Sequence, residues 1–195
     1  MYIVLQNWSI YVFLLNNLFL KCTAEDTQSP GKKLLTVDKP VKYLLSEESN
    51  DFLGMTGECT TLEIVSSKQV PYDVFVDMFQ SSQWHTHPYV ATLSSSIGPD
   101  PVDIITFDAH DDGSLTTVPW RPAQSFRLEI AKPSHCFVLA STFSVEKECF
   151  LFKKLEGEKD SSRCPAQTNV KTSCEEIFQK CQTSKAEDDI CLAWL

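Results

Sequence analysis

The chain has 195 residues, with 26 Asp+Glu against 17 Lys+Arg and a formal net charge of -9. Apolar residues make up 43% and charged residues 22%, which excludes a disordered chain, a coiled coil, a collagen and a polytopic membrane protein. The acidic balance argues against nucleic acid and anionic membrane surfaces as partners, since both attract net positive protein, and eight cysteines point to disulfides or a metal.

Residues 10–20 read IYVFLLNNLFL, the one strongly apolar run. It is shorter than the roughly 18–20 residues that span a bilayer. Lys21-Cys22-Thr23-Ala24 follows, with small residues at Cys22 and Ala24. This pattern predicts a secretory signal peptide over 1–24, cleaved before Glu25, and a single domain over 25–195. Removing Lys21 makes the net charge -10, and removing Cys22 leaves seven cysteines: Cys59, Cys136, Cys149, Cys164, Cys174, Cys181 and Cys191. Export means an oxidising environment, so most of these are expected to pair, with one left over.

The stretch 25–57 is polar, and Val41-Lys42-Tyr43-Leu44-Leu45 is its best candidate for order. Strand signals then recur at short intervals: 60–65, 74–79, 89–93 after Pro88, 102–107 after Pro101, 115–118, 126–130, 136–140 and 149–152. Asp111-Asp112-Gly113 marks a hairpin turn. Phe126, Leu128 and Ile130 alternate with charged residues, which places them on one face. No helical period separates these strands, so an antiparallel barrel or sandwich is expected rather than an α/β sheet. One helix is signalled, near 173–184. Ser173 precedes Glu176 by three residues, a capping box, and Cys174, Ile177, Phe178 and Cys181 fall on one face. Residues 157–169 read as a polar loop and 186–189 as an acidic tail.

The run Cys136-x12-Cys149-x14-Cys164, followed by Cys174-Glu175-Glu176-Ile177-Phe178-x2-Cys181, resembles the arthropod salivary lipocalins of the tick histamine-binding type. Cys59 before Thr60-Thr61-Leu62 and Cys136 before Phe137-Val138-Leu139 match cysteines that open strands in that family. The chain departs from the family at Cys149-Phe150-Leu151-Phe152, where an acid and a Trp are common, and it lacks the general lipocalin Gly-x-Trp. The resemblance implies an all-β fold with one C-terminal helix: an eight-stranded antiparallel lipocalin-type barrel, stapled by disulfides. It also implies the pairs Cys59 with Cys181 and Cys136 with Cys164, although spacing alone leaves the connectivity open.

Catalysis finds no support. There is no Gly-x-Ser-x-Gly, phosphate loop or Rossmann fingerprint, and Gly totals only six. No enzyme activity and no cofactor are assigned. His85-Thr86-His87 would place two imidazoles on one face of an extended segment, with His110, His135 and Asp108 as further donors. A surface loop ahead of Pro88 is the simpler reading, so no metal is assigned. Asp108 to Gly113 opens like an EF-hand loop, but Pro119 stands where the bidentate Glu is needed.

Ligand binding is the expected activity. A small barrel encloses a pocket lined by alternate residues. Asp77 and Asp103 lie among apolar neighbours, and an inward carboxylate would be relieved by a cation. Trp84, Trp120, Tyr72 and Phe107 are candidates for an aromatic cage around it. Glu63 and Glu129 are expected to face solvent. The resemblance makes the cation a biogenic amine such as histamine or serotonin, sequestered without bond chemistry. Two alternatives stand beside it. A fatty acid or leukotriene would need an inward base, Arg127 or Arg121. A host complement or clotting protein would be met by surface loops, such as 94–101 or 157–169. No nucleic acid and no membrane, after signal removal, are expected partners.

Overall fold

The apolar alternation resolves into eight antiparallel strands: β1 (Val41–Leu45), β2 (Cys59–Ile64), β3 (Tyr72–Gln80), β4 (Gln83–Ser95), β5 (Asp103–Ala109), β6 (Gln124–Lys132), β7 (Cys136–Ser141) and β8 (Cys149–Lys154). Each strand pairs with its sequence neighbours, and β1 pairs with β8, so the sheet closes as an up-and-down barrel without free edges. A computed structural model of the chain describes residues 28–46, 49, 51–55, 57, 59–65, 69–97, 101–109, 122–142, 148–156 and 173–183. The expected leader over 1–24, the strand at 115–118, the turn 111–113, the loop 157–169, and Trp120, Arg121, Cys164 and Cys191 lie outside the described residues.

Alternation sends Tyr43, Leu62, Ile64, Val74, Val76, Ile105, Phe107, Phe126, Leu139, Phe150 and Phe152 inward, into one buried cluster. An eight-stranded barrel has an interior just wide enough for side chains to fill or for one small ligand. Here a short 3-10 turn, Phe52–Gly54, dips into the barrel from the β1–β2 connection. The Phe52 ring is fully buried, with centroids 5.5, 5.1, 5.3 and 5.0 Å from those of Phe107, Phe126, Phe150 and Phe152. The next residue, Leu53, is held at φ 54°, a left-handed conformation that disfavours any residue but glycine. The expected hollow is therefore filled in this state.

Two details of register differ from the alternation read in the sequence. β6 and β7 carry a bulge between Leu128 and Ile130. The extra residue reverses the side to which later residues point. Phe126 and Leu128 face the interior, whereas Ile130 packs outside, with Val138 and Phe178. β4 also starts earlier than Pro88 suggests, running from Gln83 through that proline. Counting from the Gln80–Gln83 pair that closes the turn, Phe75–Pro88 is a non-hydrogen-bonded pair, so the missing N–H leaves no gap toward β3.

Two helices among the described residues pack on the barrel. α1 (Pro30–Leu35) gives no periodic signal at six residues. It starts on Pro at N1, and the Ser29 hydroxyl accepts a bond from the Lys32 N–H at 3.3 Å. Leu34 and Leu35 bury almost completely, each worth about 1.5–3 kcal/mol. α2 (Ser173–Thr183) matches the expected helix and buries Cys174, Phe178 and Cys181 against β7 and β8.

The disulfides correct the pairing implied by the resemblance. Cys136 bonds Cys174 and Cys149 bonds Cys181, with Cα separations of 6.3 and 6.1 Å. Cys136 thus does not join Cys164, nor Cys181 Cys59. Cys59 is also disulfide-bonded. The register explains the pairing. Cys149 lies opposite Ala140, four residues along β7 from Cys136, and both cysteines face outward. Four strand residues span about 13 Å. Seven helical residues, from Cys174 to Cys181, span about 10.5 Å. Two cross-links of ordinary reach therefore fasten one face of α2 along the sheet.

Two outcomes test this packing. Phe52→Ala is expected to destabilise the protein by about 3–5 kcal/mol, seen as a lower denaturant midpoint; an unchanged midpoint would show that the ring is not seated in the barrel. Replacing Cys174 or Cys181 by Ala opens a loop of sequence separation 38 or 32, each at a cost of about 4 kcal/mol. Peptide mapping without reductant should recover the same two linked pairs.

Candidate functional site: the two ends of the barrel

Consecutive strands run in opposite directions, so the connections 46–58, 81–82, 110–123 and 142–148 all emerge at one end. The connections 65–71, 96–102 and 133–135 emerge at the other. α1 packs at this second end, on β5 and β6. Asp103 is the clasp. It is buried on the inward face of β5, and its Oδ2 accepts the Gly31 N–H at 2.6 Å. The α1 N-terminus thereby meets the carboxylate with its own unpaired donor. A side chain at Gly31 would bring its Cβ to 2.6 Å from Leu93 Cδ1 and 3.0 Å from Asp103 Oδ2, so a larger residue would have to push both side chains aside. Asp103 is thus an inward acid satisfied by the protein itself, without an amine. A cavity of about 430 Å³ lies beside it, between α1 and β4–β6.

Asp77 faces the other way. It pairs with Thr61 on β2 and Thr86 on β4, on the outer surface of the barrel. Lys42 Nζ reaches Asp77 Oδ2 at 3.2 Å and Glu63 Oε2 at 2.6 Å. The hydroxyls of Thr86 and Thr61 donate to Asp77 at 2.6 and 3.4 Å. A carboxylate only 3% exposed is thereby held by a cation and two hydroxyls, and it does not reach the interior. Glu63 belongs to this group rather than to free solvent.

The aromatic candidates are also divided. Tyr72 and Phe107 are inward and buried in the core. Trp84 is outward, with its ring 5.2 Å from that of Phe79 in a small outer cluster that includes Leu44 and Cys59. Trp120 lies outside the described residues. The six candidates therefore form no single cage. Arg127, the base for a lipid carboxylate, is on the outer face and is bound to Glu129 at 2.6 Å. His85 and His87 lie in β4 rather than in a loop. Among the described residues, no three His, Cys, Asp or Glu side chains gather as a metal group.

What the first end does assemble is a cavity of about 550 Å³. Leu53 and Phe150 form its buried floor, and Ser49, Asp51, Gly54, Gln124 and Glu148 line it above. Asp51 is exposed and Glu148 half-buried. No described residue of this lining is basic. These polar residues stand in loops or at strand starts, where alternation carries no signal. Their meeting follows from topology, because every second connection of the barrel returns to this end.

Tyr43 and Lys42 are both displaced upward from their ordinary values. Burial holds the Tyr43 phenol protonated, pushed up to about 12, while its hydroxyl donates to the Pro133 carbonyl at 2.8 Å. Burial acts to lower Lys42, but its bond to Glu63 and the charge of Asp77 outweigh this and raise it above 10.5.

No protein-family model matches the chain, and no curated protein or solved structure matches it.

Both raised groups favour the fold in their protonated forms. Their contribution is complete below about pH 10 and is lost as pH rises through the folded-state values. For Tyr43, a rise from 10.0 to about 12 corresponds to about 3 kcal/mol. Denaturation midpoints should fall steadily between pH 10 and 12, and one tyrosinate should appear late by ultraviolet titration. Tyr43→Phe should flatten part of that fall; an unaltered profile would assign it to other groups.

Proposed function

We propose that the protein is a secreted, lipocalin-like carrier that sequesters a small cationic mediator, a biogenic amine of the histamine or serotonin kind, at the open end of its barrel. One observation carries the reading: a cavity of about 550 Å³ is lined by two carboxylates, Asp51 and Glu148, above an apolar and aromatic floor. A protonated amine would find its counter-charges at the rim and apolar contact for its ring below. The acidic net charge adds weak steering of cations, screened at physiological salt.

Support for the setting is independent of the cavity. Disulfides persist in oxidising compartments. No helix among the described residues is long and apolar enough to cross a membrane. A barrel with a terminal helix docked outside also agrees with the resemblance to tick salivary lipocalins, whereas the pairing of its cysteines does not.

A second reading has one observation in its favour. The barrel interior is filled, and Val70 and Ile97 project into solvent from two connections at the end where α1 packs. A host protein target would engage such loops.

Calorimetric titration separates the two. Histamine or serotonin is expected to bind at one equivalent, and Asp51→Asn with Glu148→Gln should weaken binding about tenfold or more. Absence of heat with both amines would overturn the carrier reading in favour of the protein target.

A further inference from the structure

The mouth cavity leaves a second group of chemically distinctive side chains unused, on β3 and β4 across the barrel from β7 and β8. His85 and His87 are two residues apart on β4, so they share a face. That face is the inward one, since Tyr89 and Ala91 continue it into the core. Across the ladder, Met78 lies directly opposite His85, and Val76 opposite His87. Opposed residues point to the same side. Their Cα atoms are about 5.5 Å apart in a hydrogen-bonded pair, and diagonal neighbours are about 7–8 Å apart. Two imidazoles and one thioether therefore stand in a single triangle at the rim.

The frame around them is fixed. Ser81 and Ser82, at φ 52° and 65°, form the two-residue turn that closes this hairpin. Left-handed values at both central positions match the strand twist and lock the register. Met78 is thus two pairs removed from a rigid turn. Access is graded across the group, with His85 exposed, His87 half-buried and Met78 buried at the rim. The chain at Gly57 rests on the thioether: a Cβ there would come within 2.2 Å of Met78 Cγ and 2.9 Å of Sδ. Any larger residue at 57 would displace the sulfur.

We propose that His85, His87 and Met78 form a binding site for a soft monovalent metal ion, Cu(I). A thioether favours Cu(I), and imidazole suits copper in either oxidation state. The trio contains no carboxylate, so calcium and magnesium find none of the oxygen ligands they need. Zinc finds only two of its usual donors and lacks a complete tetrahedral set. The site is separate from the amine cavity, and neither depends on the other.

The test uses the full-length oxidised protein, with any free thiol first alkylated. Cu(I), supplied anaerobically, is titrated in competition with a chromophoric bidentate Cu(I) chelator. One equivalent of Cu(I) should be withdrawn from the chelator. His85→Ala, at an exposed position, and Met78→Leu, which conserves volume in the core, should each weaken binding at least about tenfold. Both variants should keep the circular dichroism spectrum of the parent. Ag(I), a redox-inert substitute, should shift the Met78 S-methyl resonance. Parent-like affinity in both variants, Zn(II) bound as tightly as Cu(I), or a stationary methyl signal would each overturn the assignment.

Discussion

The pairing of β1 with β8 is the constraint from which the rest follows. Once the sheet closes, every strand residue has only two places to go, and position along the strand decides between them. Asp77 and Asp103 look alike in the sequence, each an acid between apolar neighbours. Closure sends one outward to a lysine and two threonines and the other inward to the first turn of a helix. Neither carboxylate is left to be satisfied by a ligand. The charge available to a guest lies in the connections, where parity has no authority.

Much of the frame was legible in advance because period-two alternation is a strong signal wherever one face is buried. The strands starting near residues 60, 74, 103, 126, 136 and 149 appear close to their expected places, as does the helix from Ser173 to Thr183, and the stretch 41–45, expected only to be ordered, is the strand that closes the barrel. The failures have local causes. A single extra residue at the β6 bulge turned Ile130 outward. Pro88 suggested a boundary, but it occupies a position in β4 where its missing donor is not needed toward β3. Six residues of α1 are too few to show a helical period, and only its Ser-Pro start marks it. The site was less legible than the frame. Which acids meet at the mouth depends on which loops share an end, and that is a property of topology rather than of any local pattern.

Cysteine connectivity shows the same division. Counting residues between cysteines says little, because it ignores direction. The outward parity of Cys136 and Cys149, together with the i, i+7 spacing of Cys174 and Cys181, is what matches the two sets. The resulting helix is an external brace on β7 and β8, reinforced by Lys153 and Glu175 at 2.6 Å. The brace lies on the opposite side of the sheet wall from Phe150 and Phe152, so it stiffens the strands that carry half of the phenylalanine cage without entering it.

The clasp between Gly31 and Asp103 has a consequence for traffic. With α1 fastened on β5 and β6, that end of the barrel is covered by Leu34 and Leu35, which join the core from below. Phe52 fills the core from the other end, as a plug supplied by the chain itself. With the interior taken up by that ring, a guest is confined to the recess above it, which opens directly to solvent.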